Sequence, residues 1–293
     1  MNLTLTAEAA ARGAVVGTGA GLLAVAVVLT FRSTGVLNFA LGGVASVSAF
    51  VVWQLWGRGG GLPLVPSVIA ALAVSVALGL ACERVMRPLA SAPVAVRAIA
   101  TLGLLLLLDG GIVALWGPAD RFLPALSSGA VPFGVVRVGS QEIGLAVVAM
   151  VAAVAIGVWT RTRPLGMASL AIGEDAAAAR LLGVRPERVT AVVWGLSALL
   201  AGMAGVGLSG GQGVLNSTGM TLALVASLAA VLLGGFERLG ITVAAAAGVG
   251  ALTAAVAVVP SAARVSGLVE STGFLVVLAV VLLRPRRGVV GRA

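Results

Sequence analysis

The sequence contains no histidine, no tyrosine and no lysine, a single cysteine (Cys82) and 10 acidic residues among 293. Each shortage removes a class of chemistry. Without His and with one Cys, the chain can build neither a His/Cys metal cage, nor a triad using His, nor an internal disulfide. No redox or metal enzyme is therefore expected, and no cofactor. Without Lys it lacks the lysine of a phosphate-binding loop and cannot hydrolyse ATP by that route. Charge is scarce as well: charged residues make up 10% and hydrophobic ones 60%, with a mean hydropathy of +1.14. A soluble globule carries about 25% charge, so this chain reads as a membrane protein.

What is present is long apolar runs. Nine segments stand out, at residues 13–30, 36–56, 64–82, 98–116, 143–160, 189–208, 220–235, 241–259 and 267–283. A helix needs about 20 apolar residues to cross the hydrocarbon layer. The runs are apolar on every face, whereas barrel strands would alternate apolar and polar residues. The expected fold is all-α, a polytopic transmembrane bundle of eight to nine helices forming one domain over residues 1–293. The first run follows Glu8 and Arg12 and exceeds a signal-peptide core, so it reads as a retained span. Two runs are suspect as full spans. Residues 220–235 are short and precede a tight polar turn, as half of a re-entrant hairpin would. The 36–56 run begins after Thr34 and Gly35 and carries Asn38, Gly42 and Gly43, which would permit a broken helix lining a cavity.

The net charge of +9 rests wholly on arginines in short inter-span segments, which form no basic domain and give no case for a nucleic-acid partner. They serve orientation. If 83–97 is cytoplasmic, that side holds 14 of the 19 arginines, leaving Arg12, Arg58, Arg121, Arg137 and Arg264 outside. The positive-inside rule then sets the N-terminus outside and the C-terminus inside. The run from Arg284 to Ala293 suits a stop-transfer flank, and Trp53, Trp56, Trp116 and Trp159 suit interface anchors. Gly13, Gly17 and Gly21, four apart, with Gly202, Gly205, Gly248 and Gly250, suit close helix packing.

Two features invite function. Asp109 is the one acidic residue deep in a strongly apolar run, where insertion costs about 2.5–3.5 kcal/mol. It either lines a solute path or carries a proton, or is a structural carboxyl satisfied by a neighbouring helix. The inside loop 161–188 contains a short helix signal: Glu174 and Asp175 at its start, alanines at 176–179, Arg180 in the last turn, Gly183 as a stop and then Pro186. Ala178, Leu181 and Leu182 give that helix a small apolar face suited to a partner's groove, though a helix lying on the membrane surface would be capped the same way.

Four blocks then resemble a known family: FRSTGVLNFALGG (31–43), ERVMRPL with IATLGLLLLL (83–108), TRPLGMASLAIGEDAAAARLLGV (162–184) and GMTLALVASLAAVLLGGFERLG (219–240). In this order they resemble the membrane permease subunits of branched-chain amino acid ABC importers, the LivH type. Leu41 stands where that family usually has His, and Asp109 where relatives usually carry a neutral residue. The resemblance implies a permease without its own ATPase site in the cell membrane. Its partners would be two cytoplasmic ABC ATPase subunits, a second permease, an extracytoplasmic solute-binding protein and the lipid bilayer. It places Asn38, Phe39, Gly42, Gly43 and Thr101 on the translocation path, to which the carboxyl in the apolar run adds Asp109, and it gives Glu174, Asp175, Ala179, Arg180, Leu182 and Gly183 the ATPase-coupling role. Alternatives stay open at this point: the same architecture carrying urea or short amides, an ion-coupled secondary transporter centred on Asp109, or a scaffold that transports nothing.

Overall fold

The computed structural model describes residues 3–57, 61–127, 129–133, 136–216, 219–259 and 267–283. Eleven α-helices run through them: α1 (Leu3–Thr34), α2 (Ala40–Val52), α3 (Leu64–Met86), α4 (Val94–Trp116), α5 (Ser140–Thr162), α6 (Pro164–Glu174), α7 (Ala176–Leu181), α8 (Pro186–Gln212), α9 (Gly219–Gly234), α10 (Leu239–Ala257) and α11 (Leu268–Leu283). Seven helices among the described residues are long and apolar enough to cross a membrane. α9 and α11, with 16 residues each, are shorter and span roughly 24 Å. Every apolar run of the sequence falls on a helix. The stop-transfer flank, Arg58 and Arg264 lie outside the described residues.

α1 is the central post. Residues 22–29 are buried on all sides, which is why this stretch has no polar face to read. α10 lies against it through small residues: a Cβ on Gly13 or Gly17 would strike the backbone of Gly250, and one on Gly17 also the carbonyl of Ala246. Gly21 meets Val243 and Ala246 on the same face. Such a seam replaces the hydrophobic drive, absent between helices in lipid, with close van der Waals contact. α8 is approached likewise, with Gly205 under the Ala45 carbonyl of α2 and Gly202 against Ser48 and Ser75. Gly248, by contrast, faces open space.

α3 shows the membrane's inverted pattern. Its buried side is the ladder Ser67, Ala71, Ser75 and Gly79 against α8, while Val65 and Ile69 point outward. α4 exposes Ile99, Leu106, Leu107 and Leu115 in the same way.

The loops gather at two ends. One collects the α1–α2 break, the α3–α4 link, α6, α7 and the α9–α10 turn. There Phe236 holds a left-handed backbone (φ 64°), and its ring lies 4.2 Å from that of Phe31. The other end adds two short antiparallel pairs to the helical bundle. β1 (Arg121–Phe122) pairs antiparallel with β4 (Val214–Leu215), and β2 (Ala130–Phe133) with β3 (Val136–Gly139). Residues 117–139 are cut by Gly and Pro and carry no long apolar run, so only tertiary pairing reveals these strands. Gln141 ties them to the bundle, accepting from Leu126 N–H and donating to the Gly207 carbonyl at 2.7 Å each. Arg121 lies 5.2 Å above the Trp53 ring and donates to the Trp116 carbonyl at 2.6 Å.

Candidate translocation and coupling sites

Helix α1 ends at Gly35, whose φ of +68° lets its N–H reach back to the Phe31 carbonyl at 2.7 Å. Residues 36–38 then run without helical bonds before α2 begins. A break inside a bundle leaves backbone groups that need partners, and α4 supplies them from one face. Arg97 donates to the Thr34 carbonyl at 3.0 Å. One turn on, the Thr101 hydroxyl lies 2.9 Å from the Leu37 carbonyl and accepts from Phe39 N–H at 3.4 Å. Asn38, 3% exposed, accepts from Ala40 N–H at 3.1 Å and opens the first turn of α2.

A cavity of about 450 Å³ lies beside this break, lined by Gly35, Asn38, Glu83, Arg97, Thr101 and Arg180 among others. It unites two sets of residues that the sequence kept apart, the broken-helix block and the 174–183 loop. Gly42 and Gly43 sit one turn further into α2, where Leu224 of α9 and Leu105 and Leu108 of α4 pack closely on them. Asp109 stands away from that group, two turns beyond Thr101 or roughly 12 Å along α4. It accepts from Thr221 of α9 at 3.3 Å through one carboxylate oxygen, and the other is buried without a partner.

The loop 161–188 folds as two helices, not one. Glu174 does not start the second helix but ends α6, because Asp175 turns extended (φ −154°, ψ 103°) and caps α7, accepting from Ala177 and Ala178 N–H at 2.8 and 3.0 Å. Gly183, at φ +83°, closes α7, its N–H bonded to the Arg180 carbonyl at 3.0 Å. Ala179 turns inward and packs with Ile172 and Val189, whereas Leu181 and Leu182 stand 90% and 83% exposed. The bare face is thus a leucine pair at the C-terminal end of α7.

The α6–α7 unit is fixed to the bundle at two contacts, and beside it α3 is locked to α8. Gly173 lies so close under the Arg32 carbonyl that a Cβ there would collide with it. Arg180 pairs with Glu187 of α8 at 3.2 Å. Deeper in, Glu83 of α3, 3% exposed, is held by Arg87 at 2.8 Å and by the Thr190 hydroxyl of α8 at 3.1 Å. The sequence reading did not single out Arg97, Gly173 or Glu83, which the structure brings to this end of the bundle. Arg97 passed as an orientation charge, yet its i, i+4 spacing with Thr101 is a visible signal.

Comparison with known proteins decides the family. The family described as "Branched-chain amino acid transport system / permease component" matches residues 9–284. This chain belongs to that family. The permease is 26% identical to the high-affinity branched-chain amino acid transport system permease protein LivH of Escherichia coli (strain K12), over 96% of this chain and 94% of that protein. It is 32% identical to the autoinducer 2 import system permease protein LsrC of Enterobacter sp. (strain 638), over 70% of this chain and 57% of that one. Among solved structures, a chain of PsaBC from Streptococcus pneumoniae in complex with Fab superposes with a TM-score of 0.51 at 12% identity, covering 98% of this permease and 94% of that chain. That likeness concerns the fold alone. Family and helices together make the permease a multi-pass membrane protein.

Proposed function

We propose that this permease is the single-domain transmembrane subunit of an ABC importer in the cell's inner membrane, moving branched-chain or related apolar amino acids. Its N-terminus lies outside and its C-terminus inside, and it works with a second permease, two separate cytoplasmic ATPases and an extracytoplasmic binding protein. The observation that carries the reading is α7. A short capped helix presents two bare leucines while Arg180, Gly173 and Ala179 tie it to α8 and α1. An exposed apolar pair fits a groove on a partner, and the ties carry its movement to the cavity at Asn38 and Thr101. Alternating access at that cavity needs no covalent step. The arginine-rich end, which holds α7, faces the cytoplasm.

The test is composition. The permease is purified from its native membrane in mild detergent and its stoichiometric companions are identified by mass spectrometry. Two ATPases and a second permease are expected; a chain alone, in a preparation that preserves other membrane complexes, overturns the reading. One observation favours a second reading, the ion-coupled transporter: the partnerless buried oxygen of Asp109, as a proton-carrying carboxyl would have. Uptake in proteoliposomes driven by a proton gradient without ATP would establish it. Competition with urea and short amides against leucine fixes the solute class.

A further inference from the structure

The cavity of about 450 Å³ beside the α1–α2 break carries an unbalanced charge. Its described lining holds three arginines, Arg87, Arg97 and Arg180, against two glutamates, Glu83 and Glu187. Both glutamates are spent. Arg87 Nε donates to the two carboxylate oxygens of Glu83 at 2.8 and 2.9 Å, and Arg180 pairs with Glu187 at 3.2 Å. Arg97 is the remainder. It makes no ion pair among the described residues, donates to the Thr34 carbonyl at 3.0 Å, and keeps its Nε buried without a partner. A guanidinium has five donors in a planar fork, so most of this one is unspent. Two long helices add to its field. Val94 and Pro186, the first residues of α4 and α8, also line the cavity, and no side chain caps either helix. The first turn of each thus offers free N–H groups and the positive end of a helix dipole.

One surplus cation in such a chamber is matched by one monovalent anion. We propose that the cavity binds a phosphate group of single negative charge on Arg97, as an anionic phospholipid headgroup or free phosphate supplies. The planar fork suits two oxygens of one phosphate, and the first turns of α4 and α8 face the same charge. The surroundings favour the lipid. Val94 lines the cavity yet is 56% exposed, and Val96 and Ile99, 44% and 69% exposed, continue the apolar outer face of α4. A headgroup can therefore enter while its acyl chains lie along that face, as in other basic pockets between transmembrane helices. An ammonium on the ligand finds both carboxylates taken, so a zwitterionic headgroup is accepted less well than an anionic one. The inference goes beyond the transport reading: it needs only that the chain lies in a membrane, and it holds whichever solute the permease carries.

The probe is tritiated dioctanoyl phosphatidylglycerol, bound to the permease purified in detergent with its companion subunits after endogenous lipid has been washed out. Saturable binding is expected, weakened roughly tenfold in Arg97→Gln by the loss of a charge-assisted contact. Glu187→Gln keeps the test decisive if that variant misfolds. It frees Arg180 from an exposed pair on the same cavity and is expected to tighten binding severalfold. Competition then names the source. Displacement by unlabelled phosphatidylglycerol at lower concentration than by phosphatidylethanolamine, with inorganic phosphate ineffective, supports the lipid headgroup. Displacement by inorganic phosphate at lower concentration than by phosphatidylglycerol supports the free anion. Binding that is alike for both lipids and unmoved by either substitution is the lipid annulus of any bundle and overturns the site. Displacement by leucine, with phosphate and phosphatidylethanolamine ineffective, overturns it too, because Arg97 then serves the solute.

Discussion

Thr101 carries a hydroxyl on which backbone groups of residues 37, 39 and 98 converge. Replacing it by Val keeps the shape and strands those groups beside the α1–α2 break, at a cost of about 1–3 kcal/mol for an unsatisfied buried partner. Thr101→Val is expected to lower ATP-driven uptake with normal assembly, and Thr101→Ser to restore it. Equal transport by both would make the hydroxyl irrelevant to gating. Asp109→Asn separates the two transport readings at the same scale. Asn still offers Thr221 an acceptor, so an ATP-driven permease loses only part of its uptake, while complete loss in an assembled complex favours the ion-coupled mechanism. Neither environment was legible in the sequence. Asp109 was conspicuous as a carboxyl in an apolar run, but Thr221 is 112 positions away. Thr101 took its place by resemblance, and only the fold shows which carbonyls it serves.

At the scale of the element, the proposed coupling unit is a chain of three dependencies: the Asp175 cap, the Gly173 contact and the Arg180 pair. Asp175→Ala removes the acceptor of two N–H groups and weakens a six-residue helix by about 1 kcal/mol. Ala178→Pro is harsher, deleting one of those N–H donors outright. Arg180→Glu faces Glu187 with like charge. Both Ala178→Pro and Arg180→Glu are expected to uncouple the complex: ATP hydrolysis continues and solute uptake falls, as read in proteoliposomes. Full uptake in both removes α7 from the mechanism. Gly173→Val is expected to loosen α6 from α1 and lower both activities together, since the whole unit shifts. The sequence showed α7 through its caps but hid α6. Pro164 stands at the first helical position of α6, a start signal, yet its neighbours Gly166, Ser169 and Ile172 supply too small an apolar stripe to read as a helix.

For the whole molecule, the apolar runs were decisive because a run of 16 or more such residues has one stable form in lipid. Helix positions therefore followed, whereas the strands at 121–139, which depend on pairing, did not. Sidedness is the remaining property, and it follows from charge. The end bearing α7 also gathers Arg84, Arg87, Arg97, Arg161, Arg163, Arg185 and Arg188 in its links and helix ends, while the strand-bearing end has Arg12, held by Glu142, Arg121, held over Trp53, and Arg137 in β3. Retention of such links on the cytoplasmic side predicts a specific labelling pattern. In the Cys82→Ser background, Phe122→Cys and Leu182→Cys each place one thiol at an exposed site on opposite ends. A membrane-impermeant maleimide applied to intact cells with a permeabilised outer layer is expected to modify Phe122→Cys and to reach Leu182→Cys only after the inner membrane is opened. The reverse pattern would invert the bundle and put the leucine pair of α7 on the side where no ATP is available. Such a result would remove the ATPase as its partner and the importer mechanism with it.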